Sequence, residues 1–172
     1  MSANVGLSVV VGNPRPQSRT RSVAERIAHL AALAAGVPDE PCSVIEVSEL
    51  AGELFDWSSA TVRAQTEVLA TSRLAVVASP TYKATYTGLL KAFLDWFGQT
   101  GLNGVTVIPV MVGASAIHAL AVEVHLRPVL VEIGATIPTR GLFVLEDELD
   151  VLDRTIEAWL EQAGPLLANS VR

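Results

Sequence analysis

Arg73 to Phe97 reads RLAVVASPTYKATYTGLLKAFLDWF. Arg73–Ala78 is apolar at nearly every position, the pattern of a parallel strand covered on both faces. Ser79–Thr87 is a loop. Gly88–Phe97 follows as a helix, with Leu89, Leu90, Phe93, Leu94 and Phe97 on its apolar side. The same unit of strand, loop and helix recurs in both directions. Upstream, Val5–Val11 is a β-branched run ending at Gly12-Asn13-Pro14, and a helix follows from Ser18 to Ala35, stopped by Gly36 and Pro38. A short strand, Ser43–Val47, and a helix, Ser58–Thr71 capped by Ser58 or Ser59, complete that side. Downstream, Val105–Val112 is a fourth buried strand. Gly113-Ala114-Ser115 leads into a helix running to about Ile133 and ended by Gly134. Thr136–Leu145 contains a fifth strand, and Leu149–Ala163 is a closing amphipathic helix.

Five alternations of strand and helix, without linker or repeat, predict one α/β domain over residues 1–172. The expected architecture is a doubly wound, five-stranded parallel sheet of flavodoxin-like order 2-1-3-4-5, with helices on both faces. Half of the 172 residues are hydrophobic and 17% are charged, which excludes a disordered chain. The apolar runs, such as Val105–Val112, fall far short of the ~20 residues a bilayer span needs. The N-terminus carries no basic segment and no cleavage pattern of a signal peptide, so a cytoplasmic location is expected. One cysteine, Cys42, excludes a disulfide framework and a multi-cysteine metal site.

A net charge of −6 argues against nonspecific nucleic-acid binding. Yet cations gather in two segments: Arg15, Arg19, Arg21 and Arg26 in one, Lys83 and Lys91 in the other. Such clustering in an acidic chain suits a small anion as well as it suits ordinary solvated helix faces. In open α/β sheets ligands bind outside the carboxyl ends of the strands, near the switch point between strands 1 and 3. That rule nominates the loops 12–20, 79–87 and 113–118.

The first loop, GNPRPQSRTRS, enters a helix, so its backbone N–H groups face an anion while Ser18, Thr20, Arg15 and Arg19 add donors. It contains neither GxxxxGK[ST] nor GxGxxG, which excludes the NTPase phosphate loop and the usual dinucleotide fingerprint. The second loop holds Pro80, expected to set a turn, and Tyr82 and Tyr86, the chain's two tyrosines, beside Lys83. These suit a flat aromatic ligand. The third loop, GASAIH, lets backbone approach a ligand edge, with His118 at its mouth. His118 and His125, two turns apart on one expected helix, are too distant for one metal centre. No Ser-His-Asp, HExxH or paired-carboxylate arrangement appears at these loops. A cofactor that carries the chemistry itself is therefore indicated, and FMN fits, with no catalytic side chain and no metal named.

Three segments in order, GNPRPQSRT (12–20), SPTYKATYTGLLKAFLDW (79–96) and GASAIHALAVEVHLRPVLVEIGA (113–135), resemble the NAD(P)H-dependent FMN reductase family. The likeness is greatest to the reductases of sulfonate monooxygenase systems. It implies hydride transfer from NADPH or NADH to FMN, and delivery of reduced FMN to a partner monooxygenase. Arg15, Ser18, Arg19 and Thr20 would hold the phosphate. Pro80, Thr81, Tyr82 and Lys83 would meet the ribityl chain and ring. Gly113, Ala114 and Ser115, with His118, would lie at the ring's other edge.

Two positions depart from the family pattern. Asn13 stands where the family has serine. Val124 and His125 stand near a tyrosine that one branch places in an irregular helix turn at a tetramer interface. A homodimer or homotetramer is expected, through Phe93, Trp96, Phe97 and the apolar face around Val122–Val129. The first loop alone would also suit an FMN-containing quinone, azo or chromate reductase. A flavodoxin-like electron carrier is the non-enzymatic alternative.

Overall fold

The computed structural model describes residues 6–39 and 41–171. Val5, placed in the first expected strand, lies outside them. The strands are β1 (Leu7–Val11), β2 (Cys42–Glu46), β3 (Leu74–Pro80), β4 (Thr106–Gly113) and β5 (Leu142–Leu145). The helices are α1 (Arg19–Ala35), α2 (Ala60–Ala70), α3 (Gly88–Leu94), α4 (Arg127–Glu132) and α5 (Leu152–Ser170). All strand pairs are parallel, in the order β2-β1-β3-β4-β5. The expected sheet is therefore the observed one. Alternate residues of each strand serve opposite faces. Val9, Val76, Ile108 and Val110 pack under α1 and α5, while Val10, Val77, Val107 and Met111 pack under α2, α3 and the 122–130 segment.

Local chemistry sets the element ends. Ser18 caps α1 by accepting a hydrogen bond from Arg21 N, and Gly36 closes it in the left-handed region (φ 68°). Ser59 caps α2 and Thr87 caps α3 in the same way. Pro80 is the buried last residue of β3, opposite Val112, so it extends the strand where a turn was expected.

The single helix expected from 116 to 133 is broken into three. Ala116–His118 is a 3-10 turn, Val122–Leu126 a π-helical turn, and α4 follows. Pro128 has no N–H to donate back into the preceding turn, and its ring crowds the carbonyl four residues earlier. Widening to a π turn relieves both. The π turn spans Val124 and His125, the positions that depart from the family pattern. His118 and His125 do not share one regular helix.

The fifth strand is shorter than its sequence window for a related reason. Val107 N donates to Thr136 O (2.8 Å) on the outer side of β4. Two residues on, Pro109 faces the same side and offers no donor. The chain leaves the sheet there and rejoins at Leu142, opposite Val110. Side chains satisfy the excursion. Arg127 donates to Ile137 O (2.9 Å) and Thr139 O (2.6 Å), and Glu123 Oε1 accepts from Gly141 N (2.6 Å).

Among the described residues no helix is long and apolar enough to cross a membrane.

Candidate functional site

The loops after β1, β3 and β4 all leave the carboxyl edge of the sheet, and hydrogen bonds join them. Gly12 N donates to Ala78 O (2.7 Å). Thr87, buried, donates its hydroxyl to Gly12 O (2.6 Å), receives Leu90 N (3.1 Å), and gives its own N–H to Ser79 Oγ (3.0 Å). One threonine thus caps α3 and ties the first loop to the second. Gly12 is required by packing: a Cβ there would stand 2.6 Å from Leu90 Cβ. The second and third loops meet through Thr81, whose N–H donates to Val112 O (2.7 Å). A Cβ on Gly113 would lie 2.9 Å from Thr81 Oγ1 and 2.7 Å from Phe143 Cζ, so only glycine fits.

The first loop is internally braced. Asn13 accepts Arg15 N on Oδ1 (2.9 Å) and donates through Nδ2 to Thr20 Oγ1 (3.1 Å). Asparagine in place of serine therefore organises this loop from both ends of its amide. Gln17 adopts φ 50°, unusual for a non-glycine residue. Its N–H donates to Glu46 Oε1 (2.9 Å) at the end of β2. The first-turn N–H groups of α1 have no acceptor within the helix and carry partial positive charge.

The cation cluster separates on inspection of partners. Arg21 pairs with Glu25 and Glu46, Arg26 grips Asp153 with two hydrogen bonds, and Lys91 pairs with Asp95. Hydrogen bonding to Glu25 raises the Arg21 pKa, and bonding to Asp95 raises that of Lys91. Arg19 reaches Glu146, just beyond β5, at 2.9 Å across an exposed surface. Arg15 and Lys83 are exposed and form no ion pair among the described residues.

In the second loop, Tyr82 and Thr85 exchange backbone hydrogen bonds (2.8 and 3.2 Å) around Lys83 (φ 52°) and Ala84 (φ 67°). This is a tight turn of mirror-image type, built without glycine. It holds Tyr82 half-exposed at the mouth, while burial raises the pKa of Tyr86. Thr81 Oγ1 is buried and has no hydrogen-bond partner among the described residues. In the third loop Ala114 is exposed, Ser115 half-buried, and His118 N donates to Ser115 O (3.2 Å). Among the described residues, no hydrogen bond or ion pair of the His118 side chain joins it to the other loops.

Ser18, Arg19, Thr20, Thr81, Tyr82, Gly113 and Ser115 thus belong to one contiguous edge. Pro80 lies beneath it in the sheet. Four residues escaped the sequence reading: Glu46, Thr87, Phe143 and Glu146. Thr87 before Gly88 is a legible helix cap. The other three depend on strand register, which brings Glu46 beside Val11 and Phe143 beside Met111.

A model of the NADPH-dependent FMN reductase family matches residues 6–150. The chain belongs to that family. An FMN reductase (NADPH) of Escherichia coli K12 is 36% identical over 97 residues, 56% of this chain and 50% of that protein. The matched stretch thus spans about half the length of that relative. The NADH-dependent FMN reductase SfnF of Pseudomonas putida is 29% identical over 83% of this chain and 78% of its own length. Among solved structures, the apo form of the NADH:FMN oxidoreductase EMOB superposes with a TM-score of 0.74 at 30% identity, covering 90% of this chain and 88% of that one. Within the FMN reductase family match fall all three loops of the carboxyl edge.

Proposed function

We propose that this chain is an NAD(P)H-dependent FMN reductase that supplies reduced FMN to a partner monooxygenase, acting in the cytoplasm as a homodimer or homotetramer. The observation that carries the reading is the union of three loops at the switch point through Thr87, Gly12, Thr81 and Gly113. Family membership and the names of the relatives support it.

The residues present fit FMN. A phosphate needs converging donors. The α1 first-turn amides, the Ser18 and Thr20 hydroxyls and the exposed Arg15 guanidinium supply them. Arg19 would join by leaving Glu146. The buried, unpartnered Thr81 hydroxyl beside Gly113 calls for a polar partner at the second and third loops. When bound, FMN supplies the redox chemistry by accepting a hydride from the nicotinamide ring of NADPH or NADH. The chain positions and shields. Thr81, Tyr82 and Lys83 would line the ring on one side. Gly113, Ala114, Ser115 and His118 would line it on the other, the small side chains of the first three leaving backbone groups close to its edge. Pro80 fixes the direction in which Thr81 leaves the sheet.

Absorbance at 340 nm tests this. NADPH or NADH oxidation that scales with added FMN is the expected result, and the ratio of the two rates identifies the donor. Oxidation that needs a quinone or dye would replace the reading with a flavin-containing quinone or azo reductase. No oxidation despite bound FMN would point to an electron carrier.

A further inference from the structure

We infer that Glu46 is a positioning residue for the phosphate-binding loop, holding Gln17 in its left-handed conformation and thereby setting preference for a phosphorylated flavin. The inference deepens the FMN reading and rests on it. Glu46 ends β2, opposite Val11, one residue before the first loop begins. It is 5% exposed, an unusual burial for a carboxylate. Its Oε1 accepts both Gln17 N (2.9 Å) and Arg21 Nη1 (3.3 Å), while Oε2 is buried with no hydrogen-bond partner among the described residues. A buried oxygen left unmatched is costly, so the carboxylate is not there for its own solvation. What it holds is specific. Gln17 immediately precedes the Ser18 cap, and at φ 50° it turns the chain into α1. A residue with a Cβ resists that conformation. The Gln17–Glu46 bond is the contact that ties this turn to the sheet. The guanidinium of Arg21 meets the same oxygen and offsets the carboxylate charge, so an anion at the helix start meets donors without facing an uncompensated negative charge.

Removing the tether should let Gln17 relax to negative φ and splay the first-turn amides of α1. Titration of flavin fluorescence against the full chain, with FMN and with riboflavin, reads this without turnover. Wild type is expected to bind FMN more tightly than riboflavin. Glu46→Ala should weaken FMN by roughly tenfold and riboflavin by less than about twofold. Gln17→Gly in the Glu46→Ala background should recover about threefold or more of the FMN affinity, because glycine adopts positive φ without a tether. Glu46→Gln keeps an acceptor for Gln17 and should retain the FMN preference, while Glu46→Asp withdraws it by one methylene and should lose it. These two carry the test if Glu46→Ala does not fold. Equal losses for both flavins, or no recovery with Gln17→Gly, would overturn the positioning role and leave Glu46 as part of the fold only. Wild type that binds FMN no better than riboflavin would instead sink the phosphate reading itself.

Discussion

At the scale of single residues, small atoms decide where the loops meet. Gly12→Ala would drive a Cβ to 2.6 Å from Leu90 Cβ. Overpacking of this kind costs about 1–3 kcal/mol. Thermal unfolding is expected to show a lowered Tm, and α3 should be displaced with the Thr87 cap it carries. Arg15 and Arg19 look equivalent in sequence and differ in the fold. Arg19 is already engaged by Glu146, whereas Arg15 has no ion pair among the described residues. Arg15→Ala should weaken FMN about tenfold with little effect on riboflavin. Arg19→Ala should lose less, since binding no longer has to break its bond to Glu146. Equal effects of the two substitutions in flavin titrations would contradict this ranking.

At the scale of elements, much was legible. The β-branched runs, the Ser18 and Ser59 caps and the Gly36 stop gave four of the strands and the first two helices nearly to the residue. The third helix ends three residues earlier than expected and the last runs seven residues further, to Ser170, while the two larger misjudgements each involve a proline. Helical periodicity from 116 to 133 is compatible with a continuous helix, and the backbone effect of Pro128 acts against it just before α4. The window for the fifth strand is right, but Pro109 on the neighbouring strand shortens it. Single-sequence patterns do not report what a residue on another strand fails to donate. The site followed the same logic. Its loops were legible because they lie at strand ends, while Glu46 and Glu146 were not, because register places them.

The pairing of α1 with α5 yields a pH prediction. The Arg26 guanidinium, by hydrogen bonds and then by charge, holds the Asp153 carboxyl below the usual range. A carboxylate with a lowered native pKa contributes stability above its unfolded value of about 3.9. That contribution is lost as pH falls through the lower native value. Asp153→Asn should therefore melt slightly below wild type at neutral pH, by a small margin because the pair is exposed. The two melting curves should converge in acid. A gap that stays undiminished as pH falls below the unfolded carboxylate value would refute the assignment.

For the whole molecule, the exposed apolar surface overlaps the expected one only in part: Val124, within the Val122–Val129 face, is exposed, while other named residues are not. Phe93 and Val122 are core residues at 0% and 2% exposure, and Trp96 is half-buried, with its indole N–H on Leu54 O (2.9 Å) and its ring against Trp57. One run of exposed apolar residues at helical spacing is Ile117, Leu120, Val124 and Val131, at 83%, 70%, 57% and 52%. It runs along the segment that contains the π turn. If the chain self-associates, this run is the surface that should disappear from water. Light scattering is expected to show a dimer or tetramer at micromolar concentration, and Leu120→Glu should reduce its mass. A wild-type monomer would end the oligomer prediction.

The excursion around Pro109 also has a kinetic signature. Gly141 belongs to no strand, yet its amide is held by a carboxylate that belongs to an irregular helix. In deuterium labelling such an amide should exchange slowly, on the timescale of the sheet beside it. Its protection should vanish in Glu123→Ala while that of Val110 and Met111 survives. The clock that reports the integrity of the π turn would then be found on a different part of the chain.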